Sequence, residues 1–458
     1  VPSGVAVVAD GFWAALQGRL ALEVEWDAGP NAQLDSRRLR TELTRMAESP
    51  GLVVRDDGDF EAALEGADQV LEAVYEVPFL AHAPMEPLSC MVELREGGGA
   101  HVVTGSQFLG IDHPHAAAAL GVDPSQVTFE NSYLGGGFGR RANPAADFTV
   151  EAIHVALAAK DLGAPVKTVW TREDDLRGGW YRPLWVNGVK AAVKDGQLVA
   201  WRHRIVGQSI AAGTAFEGAM VTDGVDHTSV EGAYDMPHGV PNLRVELSTV
   251  NLGVPVQWWR SVGHSNTAFA KECFLDECAH AVGKDGYAFR RELLAGHERL
   301  LAVLDRAAEA SGWSDPLPAG VGRGIAVHES FKGFAAHVVE ASVVDGRAKV
   351  HRVVVAIDCG LVVNPDQVRS QMQGAAIFAL SSVDSAITLT NGRVDQSNFH
   401  DYPIVRMDEA PPVEVHLVDT GGEMGGIGEV GVPGVAPALC AALFQACGRR
   451  IRRLPIGD

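Results

Sequence analysis

A glutamate lies between glycines toward the end of the chain, directly before an apolar segment punctuated by proline. The segment from Gly428 to Pro433 has the sequence GEVGVP and runs on into GVAPAL over residues 434–439. Glycine permits tight backbone turns, and proline favours the first turn of a helix. The pattern predicts a helix from Ala436 to Cys447 with Glu429 on the loop before it. Such a loop can bring a carboxylate to a buried pocket as a general base, although these residues alone favour a solvent-facing glutamate.

Composition indicates an acidic globular protein and argues against nucleic acid as a partner. Hydrophobic residues make up 47%, charged residues make up 21%, and the formal net charge is −20. A negative surface repels the phosphate backbone of nucleic acids. Because no apolar run approaches the ~18 residues of a membrane span, and residues 1–30 have no signal-type pattern, we expect no transmembrane segment.

The first residue is valine rather than methionine, so we expect a processed or separately made piece of a larger protein. Any export signal is then expected outside this chain. The compartment, bacterial periplasm or cytoplasm, stays open.

Six cysteines are scattered through apolar contexts, and no two of them form a C-x-x-C pair. Cys273 and Cys278 have the C-x4-C spacing that begins a plant-type iron–sulfur motif, but the C-x2-C continuation is missing. We therefore expect buried free thiols. No iron–sulfur cluster is expected on this chain.

Strand and helix patterns alternate without the regular rhythm of a doubly wound parallel sheet. This predicts an α+β fold of mixed sheets and packed helices. We place an N-terminal α/β part at residues 1–70, with strands at 5–8 and 22–26 and an acidic loop at 48–60. Two larger parts follow at 71–312 and 313–458, separated near the Gly- and Pro-rich stretch 312–320, and the second includes Glu429.

The densest glycine cluster is Gly135-Gly136-Gly137-Phe138-Gly139, followed by Arg140 and Arg141. Backbone N–H groups in such a loop can bind an anion, and arginines add donors for phosphate. The cluster matches neither the phosphate-binding P-loop nor the dinucleotide-binding fingerprint. On shape alone, a structural turn and an anion-binding loop are equally good interpretations.

Two further segments have a structural and a functional interpretation. Residues 258–266 have the sequence WWRSVGHSN, which predicts either a capped helix start with core aromatics or a pocket wall with an anchoring arginine. Residues 358–374 predict a strand, a loop and a helix. Gln371 and Gln373 on that helix either face solvent or contact the edge of a heterocycle. The sixteen histidines show no zinc-binding spacing, and no serine-hydrolase motif is present.

Taken together, these segments resemble the large, molybdenum-binding subunit of the xanthine oxidase family along the whole chain. The branch that it resembles most contains the isoquinoline 1-oxidoreductase β-subunit and membrane-associated aldehyde dehydrogenases. The resemblance implies the molybdenum-hydroxylase fold, with residues 1–70 as a hammerhead-like remnant and molybdopterin-binding parts at 71–312 and 313–458. Six segments support it in order: 85–87, 135–141, 259–269, 358–373, 397–402 and 425–437.

The resemblance implies a molybdenum ion on a pterin dithiolene, in bacteria usually as the cytosine dinucleotide, with no metal ligand from protein side chains. The implied activity is hydroxylation of an N-heteroaromatic ring or oxidation of an aldehyde, with water as the oxygen source. Glu429 is the implied base, and its low-charge surroundings predict a pKa raised by burial. Gln107 is the implied hydrogen-bond partner of the apical oxygen on the metal. The implied cofactor-binding residues are Gly136, Gly137, Phe138, Gly139, Arg140, Arg260, Gln371 and Gly428.

Two departures from the family pattern narrow these expectations. Purine-oxidising members have a second glutamate where this chain has Ala142, so purines are poor substrate candidates. The family's Met-Gly-Gln-Gly loop is also absent, so we expect an N-terminal portion or a separate subunit to supply it. A small subunit with two [2Fe–2S] clusters is the implied electron acceptor. The alternative is a non-catalytic assembly chain of the same fold that holds no metal.

Overall fold

Three mixed β-sheets form the framework of the fold. The structure is a computed structural model that describes residues 1–457. In chain order, the strands are β1 (Leu52–Asp57), β2 (Gln69–Val77), β3 (Ser89–Leu94), β4 (Ala100–Thr104), β5 (Val127–Asn131), β6 (Val166–Val169), β7 (Trp185–Lys194), β8 (Gln197–Gln208), β9 (Val221–Thr222), β10 (Val225–Asp226), β11 (Asn242–Val250), β12 (Val321–Ser330), β13 (Gly333–Val344), β14 (Arg347–Asp358), β15 (Leu389–Thr390), β16 (Arg393–Val394) and β17 (Val413–Leu417).

Each of the three larger sheets combines antiparallel neighbours with one parallel pair. The five-stranded sheet has the order β1-β11-β8-β7-β2, and the two four-stranded sheets have the orders β5-β4-β3-β6 and β12-β13-β14-β17. The parallel pairs are β11 with β8, β4 with β5, and β14 with β17. Strand pairs β9–β10 and β15–β16 are separate. The predicted α+β class with mixed sheets is confirmed.

Helices cover the sheets and connect them. They are α1 (Phe12–Leu20), α2 (Ser36–Ala47), α3 (Phe60–Glu65), α4 (Leu109–Leu120), α5 (Asp147–Ala158), α6 (Arg172–Arg177), α7 (Glu217–Met220), α8 (His227–Val230), α9 (His264–Ala281), α10 (Gly286–Leu293), α11 (Glu298–Ser311), α12 (Pro365–Val383) and α13 (Val435–Cys447). No helix within residues 1–457 has the length and apolar composition that a bilayer crossing requires.

Helix α9 is buried along most of its length. It contacts β2 and β7 of the five-stranded sheet, β12 of the sheet β12-β13-β14-β17, and α13. Phe269 and Phe274 pack edge-on against Tyr75 of β2, with ring centroids 5.7 and 6.4 Å away. A helix that packs against several elements is held firmly by its neighbours. The segment directly before His264 is therefore fixed at the start of a rigid element.

Helix α13 lies unusually close to strand β12. A Cβ atom added at Gly322 would be 2.0 Å from the carbonyl oxygen of Ala442, and one added at Gly324 would be 2.1 Å from that of Ala438. Only glycine permits this approach of strand and helix backbones. Because α13 begins six residues after Glu429, this contact also fixes where the Glu429 loop ends.

The N-terminal predictions were partly wrong. Residues 5–8 and 22–26 form no strand, and residues 52–57, placed in an acidic loop, form β1. Neither segment pairs with another strand within residues 1–457, whereas β1 pairs with β11 despite its polar sequence. Pairing across the sheet thus outweighs local β-propensity. Strands β1 and β2 also join residues before 78 to the same sheet as β7, β8 and β11.

The cysteines are free thiols, five of them buried as predicted. Cys447 is the exception and is exposed, since it lies in the last turn of α13.

The contact between β12 and α13 predicts a strong penalty for a single methyl group. Gly324→Ala should lower the free energy of unfolding by about 1–3 kcal/mol, because the backbones of strand and helix cannot separate without loss of packing. Gly110→Ala is the matched control, since its Cβ meets no atom within 4 Å. Thermal denaturation of both variants measures the effect. Equal midpoints for Gly324→Ala and wild type would contradict the close packing.

Candidate functional site

The glycine cluster forms a tight loop that follows strand β5. Phe138 and Gly139 have positive φ angles of 54° and 109°. Gly135 donates its N–H to Oε2 of Glu86 over 2.7 Å, and the N–H of Arg140 closes a turn onto the carbonyl of Gly137 over 2.9 Å. A phenylalanine with positive φ is strained, so the surroundings must hold the loop in this shape.

Gln107 lies beneath this loop, three residues after β4. Its Oε1 accepts the N–H groups of Gly139 and Arg141 over 3.2 and 3.3 Å. A Cβ at Gly137 would be 2.3 Å from that same oxygen, so the loop requires glycine there. These bonds fix the orientation of the amide. Its Nε2 group donates to no protein atom within residues 1–457 and is free to donate to a ligand.

Three successive backbone N–H groups in the loop are also free. Those of Gly136, Gly137 and Phe138 donate to no protein acceptor in the described part of the chain. Successive N–H groups of this kind form a concave site for an oxygen or an anion. The predicted anion-binding interpretation of the loop therefore has backbone donors available.

The guanidinium groups of the two arginines after the loop donate to groups of the protein. The guanidinium of Arg140 pairs with the carboxylate of Asp147 over 2.7 and 3.1 Å and is buried. That of Arg141 donates to Glu86 and to the carbonyls of Gly105 and Gly136. Both side chains hold the loop to the protein. A cofactor role for Arg140 stays a prediction.

An aromatic stack joins the loop to helix α12 and to the segment before α9. The ring of Phe138 stacks on Phe378 of α12 with centroids 4.4 Å apart, and Phe378 stacks on Trp259 at 4.6 Å. On the other side, Gln257 donates to the carbonyl of Gly139 over 3.0 Å. Residues 135–141 and 257–261 thereby form one wall.

Arg260 joins this wall to the Glu429 loop and to α12. Its Nε donates to the carbonyl of Gly428 over 2.6 Å, and its Nη2 donates to Oε1 of Gln371 over 3.0 Å. Of the two glutamines noted on α12, Gln371 faces this site, whereas Gln373 bonds to the carbonyl of Val413. The structure thus brings together Arg260, Gln371 and Gly428, which are far apart in the sequence.

Ser261 holds Glu429 from two sides. Its Oγ donates to the backbone carbonyl of Glu429 over 2.6 Å, and its N–H donates to Oε1 of the same residue over 3.2 Å. The other carboxylate oxygen, Oε2, has no protein partner among residues 1–457. Burial raises the pKa of Glu429, while the Ser261 N–H and the charge of Arg260 oppose the rise. The predicted upward shift by burial is confirmed.

The backbone that provides this contact is strained. Ser261 and Val262 have positive φ angles of 77° and 46°. A β-branched residue such as valine rarely adopts this conformation. Residues held this way cost about 1–3 kcal/mol each and occur often at functional sites. The strained turn therefore marks the site in the structure. No sequence motif indicated this strain.

A two-residue hairpin tip supports the loop before Glu429. Phe331 and Lys332 connect β12 to β13 with φ angles of 52° and 60°. The carbonyl of Phe331 accepts the N–H of Gly426 over 2.8 Å, and a Cβ at Gly425 would be 2.1 Å from the carbonyl of Lys332. Backbone atoms thus set the position of the Glu429 loop.

Glu231 is a second carboxyl group in the site, and no sequence motif indicated it. Its Oε1 accepts the N–H of Gly263 over 2.7 Å, two residues after the N–H that holds Glu429. Burial and the nearby charge of Glu429 raise the pKa of Glu231 to about 8. At neutral pH this carboxyl is therefore protonated.

The comparisons with known proteins agree with this site. The molybdopterin cofactor-binding domain family matches residues 46–294, and a second domain family of the same description matches residues 306–411. The chain belongs to this molybdopterin-binding family, among the molybdenum-binding large subunits of the xanthine oxidase family. Within residues 1–457, no group of three or more His, Cys, Asp or Glu side chains is arranged to hold a metal ion.

The individual relatives are oxidoreductases or parts of them. The chain is 32% identical to the isoquinoline 1-oxidoreductase β-subunit of Brevundimonas diminuta, over 100% of this chain and 60% of that protein. It is 29% identical to a membrane-bound aldehyde dehydrogenase (pyrroloquinoline-quinone) of Gluconacetobacter polyoxogenes, over 100% and 62%. The chain thus spans less than two thirds of either relative. Quinoline 2-oxidoreductase from Pseudomonas putida 86 shares the fold, with a TM-score of 0.78 at 14% identity over 98% of this chain and 83% of that one.

The raised pKa of Glu231 predicts a pH dependence of stability. The unfolded chain releases this proton near the ordinary pKa of 4.5, but the folded chain keeps it until about 8. The folded state therefore binds more protons between these values, and stability falls as pH rises through this window. Glu231→Gln should remove that loss of stability. The stability of the variant relative to wild type should therefore rise from pH 5 to pH 8.

Thermal denaturation of both proteins across pH 5–9 measures this difference. Glu423→Gln, on an exposed side chain of the neighbouring loop, is the control and should follow wild type. A constant offset between Glu231→Gln and wild type at every pH would show that Glu231 is not protonated at neutral pH.

Proposed function

We propose that this chain is the catalytic portion of a molybdenum hydroxylase that hydroxylates an N-heteroaromatic ring or oxidises an aldehyde, with water as the source of oxygen. The observation that supports this most is the state of Glu429. The base is fixed by Ser261, raised in pKa by burial, and left with one oxygen free.

The donors in the site fit a molybdopterin cofactor. Gly136, Gly137 and Phe138 offer backbone N–H groups, and Gln107 offers an amide N–H. A cofactor rich in oxygen and nitrogen acceptors would satisfy these donors, which otherwise stay without protein partners. When bound, molybdenum supplies the redox chemistry that transfers oxygen from water to an electrophilic carbon.

Glu429 accepts the proton that water loses in this reaction, at its free Oε2 atom. A carboxylate whose pKa is raised toward the working pH is a better base than one at its ordinary pKa. The N–H of Ser261 keeps the carboxylate in one orientation, which limits the entropy lost when substrate binds. Gln107 would donate its amide N–H to an oxygen acceptor of the bound cofactor.

Arg260, Gln371 and Gly428 have a positioning role in this proposal. The guanidinium bonds to Gly428 and Gln371 at once, so it keeps α12 and the Glu429 loop at a fixed separation. The stack of Phe138, Phe378 and Trp259 gives the same wall an aromatic surface. Together these contacts would shape the space for a planar cofactor.

The finer assignments extend the same proposal. The cofactor is expected in its cytosine dinucleotide form, and electrons are expected to leave through a small subunit with two [2Fe–2S] clusters. A further polypeptide portion is expected to provide the Met-Gly-Gln-Gly loop. The division into parts at 1–70, 71–312 and 313–458 also belongs to this proposal. Two large apolar side chains near the N-terminus, Trp13 and Trp26, are 71% and 63% exposed. Their exposure is an argument for a large contact with another polypeptide.

Removal of the base tests the proposed role of Glu429. Glu429→Gln should keep the fold and the molybdenum content and lower kcat by about 10²–10⁴-fold, the range for loss of a general base. Glu423→Gln on the same loop is the control and should keep normal turnover, since its side chain is exposed. Metal analysis together with stopped-flow kinetics measures both. Near-normal turnover by Glu429→Gln at full molybdenum content would refute the assignment.

The absence of a second acidic group after the glycine loop predicts the substrate class. Ala142 offers no hydrogen-bonding side chain, so a purine would leave its polar edge unpaired at this point. The purified complex should oxidise a quinoline-like ring or an aldehyde and turn over xanthine negligibly. A substrate panel with a dye acceptor measures this. Efficient xanthine oxidation would contradict the prediction.

A further inference from the structure

Three aromatic side chains from distant parts of the sequence meet beside Gln107. They are Phe108, Phe216 and Trp258, which we call the Phe216 cluster. The rings of Phe108 and Phe216 are stacked, with centroids 5.3 Å apart and an angle of 18° between their planes. Trp258 is steeply inclined to Phe216, at 75° with centroids 5.2 Å apart, and is tilted by 57° to Phe108 at 6.1 Å. Aromatic rings attract one another at these distances and angles.

The Phe216 cluster adjoins the site through two of its members. Phe108 follows Gln107 directly, and its N–H donates to Oγ of Ser106 over 2.9 Å. A Cβ at Gly139 would be 2.4 Å from the carbonyl oxygen of Trp258, and the N–H of Gly139 donates to Gln107 over 3.2 Å. The cluster therefore begins one residue after Gln107 and touches the end of the glycine loop.

Phe216 reaches the cluster from a surface segment that connects β8 to β9. Among residues 212–219, only Thr214 and Phe216 are not exposed. Thr214 shapes the turn, since its Oγ1 accepts the N–H of Phe216 over 3.1 Å and donates to the carbonyl of Ala211 over 2.7 Å. A polar turn on the surface thus holds one aromatic ring against Phe108 and Trp258.

The three rings of the cluster are half-buried, whereas the neighbouring Trp259 is only 3% exposed. The two consecutive tryptophans have different partners, because Trp259 stacks on Phe378 and Trp258 belongs to the cluster. Pockets for small molecules are lined mainly by apolar and aromatic side chains. A partly open aromatic surface next to Gln107 therefore has the character of such a lining.

An aromatic surface selects its ligands by shape. A planar ring can stack on the cluster as a further member, whereas a saturated ring or an alkyl chain of the same size makes only apolar contact. An open-chain aldehyde has no ring to stack. The cluster therefore distinguishes between the two substrate classes of the proposed function.

We propose that the Phe216 cluster binds the ring of the substrate and makes this chain selective for planar N-heteroaromatic rings over open-chain aldehydes. This inference rests on the proposed function and narrows its substrate class. The three side chains carry no group that takes part in the chemical step, so they bind substrate and transition state about equally. Loss of one ring should therefore raise KM for an aromatic substrate and leave kcat nearly unchanged.

The pterin of the cofactor is also a planar heterocycle, so the test must separate it from the substrate. Loss of a ring that held the cofactor would lower the molybdenum content of the purified complex. Loss of a ring that binds the substrate would leave the molybdenum content unchanged. Metal analysis of each variant therefore accompanies every binding measurement.

The first measurement is binding to the intact complex without turnover. The probes are 2-quinolinone, a neutral planar lactam, and octahydro-2-quinolinone, its saturated counterpart with the same polar group. Phe216→Leu and Phe108→Leu each replace a ring by an aliphatic side chain. In equilibrium dialysis, each variant should raise the Kd of 2-quinolinone about tenfold, which corresponds to ~1.4 kcal/mol, and change that of the saturated lactam less than about twofold.

Steady-state kinetics with quinoline is the second measurement. Its KM should rise about tenfold in both variants, while kcat stays within about twofold of wild type. Tyr133→Leu is the matched control, because it removes an aromatic ring that is fully exposed shortly before the glycine loop. This control should keep the wild-type Kd for both lactams and the wild-type KM for quinoline.

Three results would overturn the proposal. Wild-type affinity for 2-quinolinone in both variants would show that the rings do not bind this ligand. Equal losses of affinity for the two lactams would show that stacking is not involved. A lower molybdenum content that accounts for the whole change would assign the rings to the cofactor. Failure of the proposed function is distinguishable, since it would appear as normal turnover by Glu429→Gln, whereas dialysis measures ring binding without turnover.

Discussion

The bonds between Ser261 and Glu429 are the contact on which the rest of the site depends. One residue fixes both the backbone and the carboxylate of the glutamate, and it does so from a turn in which two successive residues have positive φ angles. This conformation costs about 1–3 kcal/mol for each strained residue, so it persists only where the surroundings enforce it. Helix α9 enforces it from one side because its first residues are buried.

Arg260 extends the same constraint to the neighbouring elements. A single guanidinium bonds to the Glu429 loop and to α12, and its surroundings are dry enough to lower its own pKa to about 10. In a dry environment, hydrogen bonds to a charged group are strong, and an unpaired partner is costly. The site is therefore held by a few polar contacts of high energy, with the aromatic stack around them.

The sequence was informative where local chemistry decides the structure. Glycine and proline marked the loop of Glu429 and the start of the following helix, and the position of that loop beside α13 agrees with the structure. The partners of Glu429 could not be found in the same way, because Ser261 lies 168 positions away and its unusual backbone has no glycine to mark it. Arg140 makes a choice of partner that only tertiary structure reveals. Its residue type suggested a phosphate donor, and in the structure its guanidinium pairs with the half-buried carboxylate of Asp147.

The hairpin tip at Phe331 and Lys332 has a consequence for how this family of sequences can vary. It supports the loop before Glu429 through the backbone of Phe331 and Lys332, so the position of the glutamate depends on the length of the hairpin. One added residue would shift which carbonyl faces Gly426. Natural variation at this tip should therefore be poor in insertions and deletions.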